Sequence, residues 1–132
     1  MSDPRHAGLV MAQCRKDLQA VQNMLEPERF DDAIFGFHAQ QAAEKALKAW
    51  LSLRGVSYPP THDLRALIRL LEVNGEAQAE IFRHLVDLND YAVAYRYGPV
   101  VAGPLDREVT MNDVRTLVEH VKELLDPTNS DA

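Results

Sequence analysis

From Asp31 to Arg54 (DDAIFGFHAQQAAEKALKAWLSLR) the chain has no proline and one glycine, Gly36, and it stops at Gly55. The stretch is dense in Ala, Leu, Glu, Gln and Lys, all good helix formers. A turn of about 100° per residue puts Phe35, Ala39, Ala42, Ala46, Ala49, Trp50 and Leu53 on one arc. Gln41, Glu44, Lys48 and Ser52 fall on the opposite one. An arc made mostly of alanine, with Phe and Trp at intervals, lets other helices approach closely between the large side chains. The stretch therefore reads as a central helix, and the other segments must pack around it.

They are patterned to do so. A first helix is expected from Pro4 to about Leu25, with Asp3 as N-cap and Pro4 at the first helical position. Its apolar stripe is Leu9, Ala12, Cys14, Leu18, Val21 and Leu25, and Glu26-Pro27 breaks it. After Gly55, VSYPP is extended, because its two prolines exclude helix. Thr61 is the expected N-cap of a third helix, His62 to about Val73, with Leu64, Leu67, Ile68 and Leu71 inward and Asn74-Gly75 at its end. A fourth helix is expected from Glu76 to Tyr97, lined by Ile81, Leu85, Leu88, Ala92 and Tyr95. Residues 98–109 carry two Gly and two Pro and read as an irregular connection. Thr110-Met111-Asn112-Asp113 resembles a capping box that opens a last helix to about Leu125. No segment alternates with period two. The fold expected is all-α, an up-and-down bundle of about five helices in one domain over residues 1–126, followed by a disordered tail over 127–132.

The chain is 132 residues long, enough for one domain to bury roughly two thirds of its unfolded surface without disulfides or metals. Its formal charge of -6 argues against bulk binding of DNA, which needs clustered Lys and Arg. Cys14 is alone, so an intrachain disulfide is excluded, and a small apolar core residue is the simplest role for it. MSDPRHAGLV has no apolar leader-like run, and no stretch approaches the roughly 18 apolar residues of a membrane span. A cytoplasmic protein away from the membrane is expected.

The histidines (His6, His38, His62, His84 and His120) form no HExxH and meet no paired Cys, so neither a metal site nor a cofactor is expected. Nucleophile-elbow, phosphate-loop and dinucleotide glycine patterns are also missing. Three local features carry more. On the polar side of the central helix, Lys45 and Lys48 lie near His38, Gln41 and Glu44. The plain reading is a solvated face with Gln41–Lys45 or Glu44–Lys48 pairs. Ile34, Phe37 and Leu51 interrupt that side, however, and mark a second packed surface against a helix or another subunit. The Thr61-His62-Asp63-Leu64 turn serves capping by Thr61 and dipole complementarity by Asp63, or else an anion at the helix end with His62 as donor. In Asn89 to Pro99, Tyr91, Arg96 and Tyr97 either finish a helix or stack a base and pair a phosphate.

Taken together, FHAQQAAEKALKAWL (Phe37 to Leu51), THDL (Thr61 to Leu64) and LNDYAVAYRYGP (Leu88 to Pro99) resemble the HEPN family, helical domains of higher eukaryotes and prokaryotes linked to nucleotide binding. The family pattern is an aromatic-x-AQQAAEK-x-LKA helix, then P-x-THDL, then a Tyr-rich helix ending in RYP. Here the last reads RYGP, with Gly98 before Pro99. The resemblance implies a HEPN-like four-helix core, usually paired as a homodimer. It also implies, for many prokaryotic members, action with a minimal nucleotidyltransferase as a toxin–antitoxin pair. A large subset are ribonucleases with an Arg and, about four to six residues later, a His near the start of the last helix. This chain departs from that subset, since Arg96 is followed by Val101, Ala102 and Gly103. Arg115 and His120 have the spacing, but they lie well inside the last helix and about 140° apart around its axis.

The leading expectation is thus a dimeric module, not primarily an enzyme, that engages a nucleotide, RNA or a nucleotidyltransferase. Its candidate contacts are Lys45, Lys48, His62, Asp63, Tyr91, Arg96 and Tyr97, with Ile34, Phe37 and Leu51 as candidate dimer face. The alternatives are a metal-independent ribonuclease using Arg115 and His120, and a purely structural interaction module.

Overall fold

The alanine-rich stretch forms the helix its composition favours. In a computed structural model that describes residues 3–25, 32–92 and 105–126, this helix, α2, spans Asp32–Leu53. Around it stand α1 (Pro4–Asn23), α3 (Leu64–Val73), α4 (Ala77–Leu88) and α5 (Arg107–Leu125), and α2 packs against each of the four. No strand occurs among the described residues. The described residues form an all-α bundle centred on α2. The expected tail at 127–132 falls outside the described residues.

Trp50 and Phe35 on α2 are essentially sealed from solvent, as are Leu64, Leu67 and Leu71 on α3 and Leu117 and Val121 on α5. Each large side chain sealed in this way contributes roughly 1.5–3 kcal/mol. Ala39, Ala42, Ala46 and Ala49 are fully buried between them, which is what close helix approach requires. Burial extends well beyond the apolar arc. Glu44 and Ser52, on the arc opposite the apolar one, are 3% and 8% exposed, and Gln40, on neither arc, is 0% exposed. The helix is covered on both sides by its own chain. Leu51 is also fully buried in this core, so it cannot belong to a dimer face.

Both expected helix stops hold. Gly55 (φ 73°) and Gly75 (φ 91°) adopt the left-handed conformation, and each sits one residue past a C-cap. Val56 N–H donates to the Leu51 carbonyl at 2.9 Å and Glu76 N–H to that of Leu71 at 2.9 Å, closing paired Schellman turns. The N-caps differ from expectation in two places. At α1, Asp3 accepts from His6 N–H at 3.0 Å as expected. At α3 the cap is Asp63, accepting from Arg65 N–H at 2.9 Å, while Thr61 Oγ1 accepts from Asp63 N–H one step earlier. At α5 the cap is Asp106, accepting from Val109 N–H at 3.1 Å, so Thr110 lies inside the first turn. Asp binds helix N–H groups as well as Thr does and adds favourable charge there.

Two apolar stripes also shift. In α1 the buried row is Ala7, Met11, Cys14 and Val21, and Leu9 is 66% exposed; Ala12 is exposed too. The fourth element differs in type. Ala77–Leu88 is a 3-10 helix, and α-helical geometry resumes at residues 89–92. Three residues per turn bring every third side chain to one face, and the buried row is Ala79, Phe82, Leu85 and Leu88. Ile81 is off that row and 62% exposed. The far end of the expected fourth helix, with Tyr95, lies outside the described residues. Arg107, 7% exposed at the start of α5, donates to Asp32 at 2.8 Å and to the Met24 carbonyl at 2.8 Å. That pins α5 to the start of α2 and the end of α1.

Candidate functional site

The N-terminus of α3 docks against the middle of α2, and the polar residues there form one connected cluster. Gln40 and Glu44 are one helical turn apart on α2 and both face α3. Gln40 Nε2 donates to Glu44 Oε1 at 3.2 Å and to the His62 carbonyl at 2.7 Å. A carboxylate 3% exposed needs partners, because burying an uncompensated charge is costly. Glu44 has three. Lys48 Nζ is 3.0 Å from Oε2, and His62 Nδ1 is 3.0 Å and 3.1 Å from the two oxygens. Gln41 Nε2 donates to Gln40 Oε1 at 2.8 Å, so Gln41 pairs sideways and not with Lys45.

The arrangement fixes the imidazole. With Nδ1 turned to Glu44, the opposite nitrogen, Nε2, points away from the carboxylate, and the His62 side chain is 49% exposed. Lys48 lies over the Tyr58 ring at 5.6 Å, and Tyr58 Oη is 3.3 Å from His6 Nε2. A carboxylate-oriented imidazole beside an ammonium can transfer a proton or pair with an oxyanion.

A second polar clasp lies on the other side of the α3 terminus. Asn89 Nδ2 donates to Asp63 Oδ1 at 2.8 Å, and Asn89 Oδ1 accepts from Leu64 N–H at 2.9 Å. Asp63 is thus occupied by the helix cap and by Asn89. Two residues on, Tyr91 is 7% exposed and packs against Gly36, where an added Cβ would stand 2.3 Å from the ring atoms Cδ1 and Cγ. Burial, with Asp32 and Asp90 nearby, raises the Tyr91 phenol above its ordinary range. Its ring is a packing element of α2 and not an open stacking platform. Arg96 and Tyr97 fall outside the described residues.

The other candidates scatter. Lys45 and His38 on α2 turn instead to α1, where Lys45 Nζ pairs with Asp17 Oδ2 and His38 Nδ1 is 3.2 Å from Asp17 Oδ1. Ile34 and Phe37 are half-buried. Arg115 reaches back along α5, Nη2 to Met111 Sδ at 3.5 Å. His120 packs, tilted, between Trp50 (4.8 Å between centroids) and Phe82 (5.7 Å), with Nε2 buried and unpartnered among the described residues. Burial lowers the His120 imidazole below its ordinary 6.5, against the opposing pull of Glu123 and Glu76. Cys14 is fully buried, donates to the Ala42 carbonyl at 3.2 Å, and its thiol is pushed by burial up to about 12. Such a thiol is inert. Among the described residues no group of three or more His, Cys, Asp or Glu is placed to hold a metal ion, and no helix is long and apolar enough to cross a membrane.

Sequence pattern does not single out Gln40 or Asn89 of this cluster, and Glu44 reads there as part of a solvated face. Their signal was the pair of polar residues four apart inside an alanine-rich helix, which resembles an ordinary surface pair. The three separated segments AQQAAEKALK, THDL and LNDY meet at one place, the start of α3. The model of the HEPN domain matches residues 7–130, a span that contains all three. Comparison with curated proteins and with solved structures returns no match. Order, fold and the convergence of the three segments agree with that match, and the chain belongs to the HEPN domain family.

Proposed function

We propose that this HEPN domain is a nucleotide- or RNA-associated module that works as a homodimer with a minimal nucleotidyltransferase, as in toxin–antitoxin pairs. In this reading the domain binds and does not cleave. The observation that carries it is His62. Its imidazole is held through Nδ1 by the buried Glu44 carboxylate, with Lys48 on the same carboxylate and Nε2 turned outward. An imidazole held by a carboxylate and a lysine ammonium at a helix N-terminus suit a phosphate oxygen. Arg96, on the family's third motif, is the residue expected to join them.

Calorimetric titration with ATP, GTP and a short RNA tests the reading. Wild type is expected to bind at least one of them. His62→Ala and Arg96→Ala are each expected to weaken binding about tenfold or more, roughly 1.4 kcal/mol. No heat with any of the three ligands would remove the nucleotide part and leave only the partner interaction. Ribonuclease chemistry on Arg115 and His120 finds no support in the geometry, since His120 is wedged between Trp50 and Phe82. RNA left intact by the purified protein is the expected result, and cleavage lost in His120→Ala would reverse it.

A further inference from the structure

α3 and α4 lie side by side and leave a groove of about 530 Å³ between them. Its apolar lining is Ile68, Val73 and Val86, and Val73 is 69% exposed. Arg65, Arg69 and Arg83 stand along its edges. Arg83 is tied down: its Nε and Nη2 donate to the two Glu72 oxygens at 3.0 Å and 2.7 Å. Arg65 and Arg69 are different. Both are exposed, and neither guanidinium has a hydrogen-bond or ion-pair partner among the described residues. Across the lining, three arginines stand against two carboxylates, Glu72 and Asp87, and Arg69 acts on Glu72 through its charge as Arg83 does. The rim is therefore net positive on a chain whose total charge is -6.

We propose that this groove is the docking site for an acidic amphipathic helix of a partner protein. The proposal goes beyond nucleotide binding and stands apart from it, since no lining residue belongs to the Glu44–His62 cluster. Two features select this occupant. The first is charge. Arg65 and Arg69 are one turn apart on α3, about 6 Å along its axis, so carboxylates spaced i, i+4 on a helix lying alongside would meet both, each as a forked pair. The second is the lining. It is aliphatic, with no aromatic face on which a base could stack. Val73 and Val86 suit the Leu or Ile row of an amphipathic helix laid into the groove. α3 has ten residues, enough to guide about three turns of such a helix.

A labelled helical peptide of about 18 residues, long enough to hold helix, serves as the probe, with leucines along one face and glutamates at i, i+4 beside them. A second peptide carries glutamine in place of every glutamate. Titrated by fluorescence anisotropy into the full chain, the glutamate peptide is expected to bind at least tenfold more tightly than the glutamine peptide. Arg65→Glu/Arg69→Glu is expected to abolish that difference, and Val73→Ser to weaken both peptides. These substitutions are at exposed positions, and an unchanged melting temperature separates lost binding from lost folding. Equal binding of the two peptides, no binding of either, or full binding by the double variant overturns the proposal. Displacement of the peptide by ATP or inorganic phosphate at the same arginines also overturns it, by assigning the groove to a phosphate ligand.

Discussion

At Gly36 the backbone of α2 meets the Tyr91 ring, and a methyl group there would stand 2.3 Å from two ring carbons. Alanine would improve helix propensity by up to about 1 kcal/mol, but the clash forces the ring or the helix to move, at roughly 1–3 kcal/mol or more. Gly36→Ala is therefore expected to destabilise the protein by about 1–2 kcal/mol in urea unfolding. Adding Tyr91→Ala should make the double variant less unstable than the sum of the singles. Strict additivity would show that the two residues do not touch in solution. The same scale applies to Glu44. Its carboxylate satisfies Lys48, Gln40 and His62 together, and Glu44→Ala strands all three. Removing one partner of a well-buried pair costs about 3–5 kcal/mol. Here the His62 side chain is 49% exposed and that of Lys48 16%, so water relieves part of the loss and about 2 kcal/mol is expected. Glu44→Gln keeps the shape and should lose less.

Elements were legible in the sequence where composition and punctuation agreed. The alanine arc of α2, the Asp3 cap of α1 and the stops at Gly55 and Gly75 could all be read directly, because each rests on local chemistry. α4 could not. Its sequence AQAEIFRHLVDL places apolar residues so that a 3.6-residue period selects Ile81 and Leu85, whereas a three-residue period selects Ala79, Phe82, Leu85 and Leu88. Tertiary contact with Trp50 and His120 decides for the second, through Phe82. Mutation separates the two periods. Phe82→Ala is expected to cost about 3–5 kcal/mol, and Ile81→Lys to stay within about 0.5 kcal/mol of wild type. A large loss from Ile81→Lys would restore the α-helical register. The polar site was hidden for a related reason. Gln40 and Glu44 sit at a spacing that an exposed helix would also use, and only the docking of the THDL turn onto α2 turns them inward. Asn89 closes that dock from the α4 side. Asn89→Ala should cost about 1–2 kcal/mol, the usual loss for a helix-end hydrogen bond partly shielded from water.

For the molecule as a whole, acid should act first through the junction of α2, α4 and α5, where Trp50, Phe82 and His120 pack edge-on and tilted against one another. Burial holds the His120 imidazole below its ordinary 6.5; Glu123 and Glu76 work against that shift and Arg54 adds to it. The folded state therefore favours neutral His120 more than the unfolded chain does. Above pH 6.5 both states are neutral, and the preference contributes in full. As pH falls below 6.5 the unfolded chain takes up the proton first, and stability declines until the folded imidazole is also protonated. Glu76 extends the effect to lower pH. Its burial alone would raise the carboxyl, but hydrogen bonds from Trp50 and Arg54 and the Arg54 charge hold it below its ordinary 4.5. That contribution is present above pH 4.5 and is lost as pH falls through the folded value. Two successive declines are thus expected in urea-unfolding free energy measured from pH 8 to pH 3. His120→Leu, which replaces an unpartnered buried nitrogen with an apolar group, should remove the first decline, leave the second, and change stability at pH 8 by no more than about 1 kcal/mol. Glu76→Gln should remove the second and deepen the first, because the Glu76 charge opposes the His120 shift. A wild-type profile flat between pH 7 and pH 5, or one that His120→Leu leaves unchanged, would show that the imidazole is open to water and that the aromatic junction does not hold it neutral.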